Sequence, residues 1–441
     1  SSGGAVAANR AGRAQGSLAP GKPSNSGYQL KNHLRFITAT SLFDGHDAAI
    51  NVMRRMIQAA GAEVIHLGHN RSVEEIISAA IDEDVQGIAI SSYQGGHIEF
   101  FQYMIDLLRQ RGAGHIKVFG GGGGVIVPEE VRALHDYGVC RVYTPEDGQV
   151  MGLPGMIEDL VKRADFDLSR NLPKNLTKLK KGDRGALARL ITGLEAGTLP
   201  KAKQKELAAL AVKKGEVPVV GITGTGGAGK SSLTDELVRR LRTDQPDMKI
   251  AVIAVDPSRR KSGGALLGDR IRMNAIDKFV GNGSVYMRSL ATRGSGSELA
   301  ACLPGAITAC KAAGYDLVLV ETSGIGQGDA AIVPFVDLTI YAMTPEYGAA
   351  SQLEKIDMLD FADLVAINKF DRKGAQDAFR DVRKQYQRNR ELFAQPVAEM
   401  PVFGTIASKF NDDGVTALYH GILAALTARG LVQWSSTLPL N

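Results

Sequence analysis

Gly221-Ile-Thr-Gly-Thr-Gly-Gly-Ala-Gly-Lys-Ser-Ser232 is the stretch on which the fold of this chain turns. It satisfies G-x-x-x-x-G-K-S, with Gly224, Gly229, Lys230 and Ser231 at the required places. An apolar run, Val217 to Ile222, leads into it, and a helix-like stretch, Ser232 to Leu241, leads out. Strand, glycine-rich loop and helix in that order make a P-loop. Gly224, Gly226, Gly227, Ala228 and Gly229 let backbone N–H groups point inward and cradle phosphate oxygens. Lys230 is placed to reach the β and γ phosphates, and the Ser231 hydroxyl, followed by Ser232, to ligate Mg²⁺. The chain is therefore read as binding a nucleoside triphosphate.

Downstream, strands are expected at Val217–Thr223, Ile250–Val255, Leu317–Glu321, Leu338–Ala342, Leu364–Asn368 and Val402–Gly404. They describe a second, independent doubly wound domain over residues 216–430, with 431–441 as a tail. Upstream, residues 165–215 are Lys- and Leu-rich and read as a helical linker with helices Ala186–Glu195 and Gln204–Lys214. Before it, residues 34–164 alternate short apolar runs with helical patterns. Strands are expected at Arg35–Ser41, Glu63–Leu67, Gly87–Tyr93, Ile116–Phe119 and Arg141–Tyr143, with helices such as Ala48–Gln58 and Val73–Ile81 between them. Five strands in that span predict an open parallel α/β sheet of flavodoxin-like order. The fold class is α/β twice over: a flavodoxin-like unit, then a P-loop unit, both doubly wound and mainly parallel. Residues 1–33 read as a disordered tail.

Composition narrows the function. The 441 residues are 44% hydrophobic and 22% charged, with a net charge of +5, so neither a nucleic-acid partner nor disorder is demanded. No apolar run approaches the roughly 18 residues of a membrane span. Three cysteines, Cys140, Cys302 and Cys310, suggest neither a disulfide framework nor a zinc cluster, and point to a reducing, cytoplasmic setting.

Asn368-Lys-Phe-Asp371 closes the run from Leu364 to Ile367. N-K-x-D after a strand, downstream of a P-loop, reads guanine. Asp371 can accept from the N1–H and N2–H₂ edge, a donor pair adenine lacks, while Asn368 and Lys369 brace the loop and cover the ring. GTP is thus the expected nucleotide. Asp256 and Glu321 end strands beside the P-loop, where an acid helps hold Mg²⁺ directly or through water; Asp269 lies in a Gly/Arg-rich segment.

Val255-Asp-Pro-Ser258, Gly263-Gly-Ala-Leu-Leu-Gly-Asp269 and Glu321-Thr-Ser-Gly-Ile-Gly-Gln327 together resemble the G-protein chaperones of cobalamin-dependent acyl-CoA mutases, the MeaB type. The resemblance implies that Ser231, Asp256, Asp269 and Glu321 gather around Mg²⁺. It also implies switch roles for Arg259-Arg-Lys261, Glu321–Gln327 and Gln352–Asp363, with Lys261 and Gln327 as candidate catalytic residues beside Lys230.

The first unit has its own signature. Asp44-Gly-His46 follows strand one, Ser91-Ser-Tyr93 ends strand three, and Gly120 to Gly124 end strand four. All stand at carboxyl ends of strands, where open α/β sheets bind ligands. They resemble the base-off/His-on cobalamin-binding domain, with its D-x-H-x-x-G, S-x-L and G-G elements. A neutral imidazole suits cobalt, so His46 is the expected lower axial ligand, and Asp44 would accept from its other ring nitrogen. Ser91 and Tyr93, Gly95 and Gly96, and Gly122, Gly123 and Gly124 would line the corrin's nucleotide tail. The sequence departs from the pattern at Ala49, where the family has Gly, and at Tyr93, where it has Leu.

Both motif sets, in this order, resemble the first half of the fused isobutyryl-CoA mutases. That resemblance implies a part of an adenosylcobalamin-dependent acyl-CoA mutase in which GTP hydrolysis gates cofactor loading and off-loading. Its implied partners are GTP and GDP, cobalamin, an acyl-CoA-binding barrel in cis or in trans, an adenosyltransferase, and a second copy in a homodimer. Residues after 430 cannot encode such a barrel, so the chain reads as a piece of a larger mutase or one half of a two-chain one. The alternative is a stand-alone corrinoid carrier or cofactor-delivery GTPase. A helical bundle usually precedes the Asp-x-His strand in methyl-transferring corrinoid proteins, and here only a short low-complexity stretch does.

Overall fold

The computed structural model describes residues 27–40, 47–69, 71–91, 96–121, 126–259, 262–267, 284–294, 300–323, 326–348, 350–353 and 356–440; for 47–49, 326–329 and 350–351 it describes the backbone alone. The first alternation yields β1 (Arg35–Thr40), α1 (Asp47–Ala59), β2 (Glu63–Gly68), α2 (Val73–Glu83), β3 (Gly87–Ser91), α3 (His97–Gln110), β4 (Lys117–Gly121), α4 (Pro128–Tyr137), β5 (Arg141–Tyr143) and α5 (Pro145–Ala164). Their sheet runs β5-β4-β3-β1-β2, every pair parallel, which is the flavodoxin-like order. β1, β2 and β3 are buried at every residue because helices cover both faces, as parallel sheets require. Local chemistry sets the helix starts. Ser72 accepts from Glu75 N at the head of α2, and Thr144 and Asp147 form a capping box on α5.

Three helices follow: α6 (Thr177–Lys180), α7 (Arg184–Ala196) and α8 (Lys201–Lys214). Leu187, Leu190, Ile191 and Leu207 from them are buried with Val219, Ile253 and Leu303 in one core. The second alternation gives β6 (Val219–Gly224), α9 (Lys230–Asp244), β7 (Ile250–Asp256), β8 (Ala265–Leu266), β9 (Val285–Ala291), α10 (Leu303–Ala312), β10 (Leu317–Thr322), β11 (Leu338–Met343), α11 (Ala350–Leu353), β12 (Leu364–Ile367), α12 (Ala375–Asn389), β13 (Val402–Gly404) and α13 (Asp413–Ala428). The sheet order is β13-β12-β11-β6-β10-β7-β9, all parallel, with the P-loop strand β6 at its centre.

Two strands escape a reading of apolar runs. β9 (Val-Tyr-Met-Arg-Ser-Leu-Ala) carries Arg288 and Ser289 in its middle, yet all seven residues are buried. β8 has two residues and lies in the wrong sheet: it pairs with β2 of the first unit, Glu63 opposite Ala265 and Val64 opposite Leu266. The expectation of an independent second domain is corrected by that pairing and by a seam of buried charge. Arg35 of β1 meets Glu63 at 3.0 Å, Glu83 at 3.3 Å and Glu195 of α7 at 2.9 Å. Arg293, just past β9, meets Glu63 at 2.7 Å, and Arg288 pairs with Glu195. Glu83 accepts from the backbone N–H of Ser289 at 2.9 Å, and Arg184 pairs with Asp82. The two sheets are thus joined through side chains and backbone of β9, α2 and α7.

Candidate functional site

β6 ends in Gly224, whose φ of +152° and contact with β11 admit no side chain: a Cβ there would lie 1.9 Å from the Ala342 carbonyl oxygen. The loop turns at Gly227 and Gly229, both at positive φ, and α9 starts at Lys230. The first N–H groups of α9 have no partners within the helix and face the loop, which suits an anion. Lys230 is buried and donates to the carbonyl oxygens of Gly224 at 3.1 Å and Thr225 at 3.2 Å. Ser231 donates to Glu321 Oε1 at 2.7 Å, and Thr234 to Glu321 Oε2 at 3.5 Å. Glu321 comes from β10 and Asp256 from the end of β7, the next strand in the sheet. The structure brings Gly226, Gly227, Ala228, Gly229, Lys230, Ser231, Asp256 and Glu321 onto one cavity of about 380 Å³. A hydroxyl and two carboxylates on one wall are all-oxygen donors and fit a hard cation such as Mg²⁺, with water and phosphate completing the shell. Among the described residues no trio of His, Cys, Asp or Glu forms a metal cage, and such a site needs none.

The N-K-x-D element is tied to the P-loop. Asn368 donates to the Ala228 carbonyl at 2.7 Å, and Lys369, at φ +56°, donates to the Gly227 carbonyl at 2.6 Å. Those bonds require Gly229: a Cβ there would lie 2.6 Å from Asn368 Nδ2. Asn368 Oδ1 in turn accepts from Thr405 Oγ1 and Ala407 N, each at 3.0 Å. Sequence reasoning missed Thr405 and Ala407. The signal available was the polar turn Thr405-Ile-Ala-Ser408 directly after the last strand. Asp371 stands exposed one turn beyond, its carboxylate open to a ligand.

On the other sheet, β4, β3 and β1 are adjacent and parallel, so their carboxyl ends lie side by side. Ser91 ends β3 and is buried; Gly96 precedes α3 at φ +84°. Among the described residues no atom lies within 4 Å of a Cβ built on Gly121 or Gly96. The carboxyl edge of such a sheet is where open α/β folds bind ligands. Asp44, His46, Tyr93, Gly95, Gly122, Gly123 and Gly124 lie outside the described residues, as do Lys261 and Asp269 and the side chain of Gln327. His97 is held away from free chemistry by a 2.5 Å contact of its Nε2 with Glu130.

The cavity has a second wall that the sequence did not announce. Arg54 of α1 and Val64 and His66 of β2, all from the first unit, line it together with the P-loop. Leu266 and Leu267 close it beside β8. His66 is buried, with its Nδ1 2.9 Å from the Thr38 hydroxyl.

Comparison with known proteins agrees with this geometry. The family model "Methylmalonyl Co-A mutase-associated GTPase MeaB" matches residues 187–431, and "B12 binding domain" matches residues 34–150. The fused isobutyryl-CoA mutase of Cupriavidus metallidurans is 66% identical over 420 residues, covering 95% of this chain and 38% of that protein. The protein of the same name from Nocardia farcinica is 62% identical over 407 residues, covering 92% and 37%. A putative GTPase of Pyrococcus horikoshii is 36% identical over 252 residues, covering 56% of this chain and 75% of its own. The chain thus spans little more than a third of the length of the fused mutases it matches. Among the described residues no helix is long and apolar enough to cross a membrane.

Proposed function

The chain belongs to the MeaB family of methylmalonyl-CoA mutase-associated GTPases and carries a B12 binding domain ahead of that unit, and from this premise we propose that it hydrolyses GTP to gate adenosylcobalamin on and off an acyl-CoA mutase. Lys230 neutralises the β and γ phosphates, and Ser231, Asp256 and Glu321, joined by Asp269, hold Mg²⁺. Asp371 reads guanine. His46, oriented by Asp44, ligates cobalt, and Ser91 binds the cofactor's tail. When bound, adenosylcobalamin supplies the radical chemistry of carbon-skeleton rearrangement. The chain's own residues bind and orient it and couple its occupancy to nucleotide state. Isobutyryl-CoA or n-butyryl-CoA is the proposed substrate, held by a barrel in cis or trans. Loading from an adenosyltransferase, a homodimeric assembly and a cytoplasmic setting belong to the same reading.

One observation carries the gating: the P-loop cavity is lined in part by Val64 and His66, which belong to the cobalamin-binding sheet. A nucleotide there touches both units, so affinity at one site is linked to the state of the other. The test is GTP turnover by the purified chain with and without adenosylcobalamin, together with the Co(II) EPR spectrum of wild type and His46→Ala. Histidine superhyperfine coupling present in wild type and lost in the variant supports the ligand. GTP turnover indifferent to a bound cobalamin sinks the gating, and isobutyryl-CoA left unchanged when the barrel is joined to the chain leaves a corrinoid carrier.

A further inference from the structure

Arg54 stands out among the arginines that meet at the two sheets. Arg35, Arg184, Arg288 and Arg293 each end on a carboxylate. Arg54 lies on α1 of the cobalamin-binding unit, is half-buried, and lines the nucleotide cavity together with Gly226 to Ser231. Its Nε is buried and, among the described residues, has no hydrogen-bond partner; the Nε of Arg288 shares that state, but Arg288 places its terminal nitrogens on Thr192 and Glu195. A guanidinium nitrogen withdrawn from water and left unpaired is costly, unless a ligand supplies the acceptor.

The charge in the cavity says what that ligand is. A magnesium triphosphate is still an anion, and Asp256 and Glu321 add two carboxylates to the same wall. The P-loop contributes a single side-chain cation, Lys230. Arg54 is the second cation of the described lining, and a guanidinium fork matches phosphate oxygens two at a time.

The backbone holds it there. Gln58 is one helical turn beyond Arg54, on the same side of α1. The segment that follows Asp256 closes on that turn: Gly264 packs so tightly that a Cβ would lie 2.2 Å from the Gln58 carbonyl oxygen. Ala265 N then donates to Ala62 O at 3.3 Å and Leu267 N to Val64 O at 2.8 Å, which builds β8 onto β2. The stretch leaving the nucleotide site therefore clamps the C-terminal half of the helix that carries Arg54.

We propose that Arg54 is an arginine finger supplied in cis by the cobalamin-binding unit, contacting the phosphates of GTP during hydrolysis. The inference rests on the GTPase reading of the P-loop. Water adds its oxygen to the γ-phosphorus, and the bond from that phosphorus to the β–γ bridging oxygen breaks with its electron pair left on GDP. The protons of the water end on inorganic phosphate and solvent. Arg54 stabilises the charge that gathers on the bridging and γ oxygens as the bond breaks. Hydrolysis then requires the cobalamin-binding sheet to be seated against the P-loop, and the GTPase reports whether it is.

The experiment uses the full chain with Mg²⁺ and compares wild type, Arg54→Ala and Arg54→Lys. Nucleotide affinity is followed with fluorescent GDP, hydrolysis by phosphate release, and transition-state binding with GDP plus fluoroaluminate. The expected loss in kcat is at least about 10²-fold and up to about 10⁴-fold in both variants, since an ammonium does not reproduce the fork. GDP affinity stays within about 3-fold, fluoroaluminate no longer tightens GDP binding, and added guanidinium partly restores turnover in Arg54→Ala. A merely structural arginine would not produce that last pair of results. Wild-type turnover in either folded variant, or fluoroaluminate tightening retained in both, overturns the proposal. A wild-type chain that binds no GDP and releases no phosphate instead defeats the GTPase reading itself, so the two failures are told apart.

Discussion

In the nucleotide pocket Lys230, Asp256 and Glu321 line a cavity of about 380 Å³, whereas at the seam between the sheets Arg35, Glu63, Glu83, Glu195, Arg288 and Arg293 close on one another. The first arrangement is held by backbone: Gly224 against Ala342, Gly229 against Asn368, and carbonyls that position Lys230. The second is held by side chains, each of which answers a charge far away in the sequence. A pocket shaped by backbone survives loss of a charge and loses only what that charge did. A seam made of mutually compensating ions does not, because removing one partner strands the others in low dielectric.

Breaking the pocket gives the largest effect. Lys230→Ala should cut GTP hydrolysis by a factor on the order of 10⁴, since the P-loop cation is lost from the transition state. The chain should unfold in urea at the wild-type midpoint, and a shifted midpoint would mean that Lys230 also holds the fold. Breaking the seam gives the opposite pattern. Glu195→Ala leaves Arg35, Arg288 and Arg293 short of a carboxylate and should cost about 3 to 5 kcal/mol in urea unfolding. Nucleotide affinity in the surviving folded fraction should hold, and an unchanged midpoint would show that the seam is not closed in solution.

A third change sharpens the pocket side of the comparison. Asp371→Asn replaces an acceptor facing two guanine donors with a donor, and should cost GTP affinity on the order of 3 kcal/mol. XTP, whose C2 carbonyl can accept from the new amide, should gain. Competition between GTP, ATP and XTP at fixed Mg²⁺ decides it: wild-type GTP affinity in the variant would leave Asn368 to Asp371 a mere turn.

What was legible in the sequence divides along the same line. The P-loop and N-K-x-D are local: their chemistry lies in the spacing of a few adjacent residues, and the strands before them are plain apolar runs. The flavodoxin-like order followed from five such runs and proved to be the order of β5-β4-β3-β1-β2. β9 was not legible because Arg288 interrupts its pattern, and that arginine is satisfied by Glu195, Thr192 and the carbonyls of Asp82 and Ala188, which no spacing rule connects to it. β8 is two residues long and finds its partner in the other unit. Arg54 had no signal at all, since one arginine on an amphipathic helix reads as a solvated residue until the opposite wall of its cavity is seen.

The smallest effect, and the one that tests the seam without dismantling it, is its response to acid. Burial pushes the Glu63 carboxyl up, but Arg293 and Arg35 outweigh burial and hold it well below the usual carboxylate range. Glu195 is likewise lowered, burial being opposed there by Arg35, Arg293 and Arg288. Both carboxylates therefore stay ionised in the folded chain while the unfolded chain takes up protons near its ordinary pKa of about 4.3. Their contribution is complete above about pH 5 and declines as the pH falls, because below that the unfolded state alone binds protons. At pH 4 each such carboxylate should have lost about 0.6 kcal/mol of its stabilising contribution. Burial, reinforced by Arg293, also lowers the pKa of His33, which adds a loss of the same sign at a higher pH, as the unfolded imidazole charges first. Urea unfolding of wild type and Glu195→Gln between pH 8 and pH 4 separates the contributions. The variant should start less stable and fall less steeply below pH 5, while its shallow His33-linked loss near pH 6.5 deepens, because the Glu195 charge no longer raises that imidazole's pKa. Parallel curves for the two proteins below pH 5 would mean that Glu195 is not held ionised by Arg35 and its neighbours, and that the seam closes by packing of β9 on α2 and α7 without its ions.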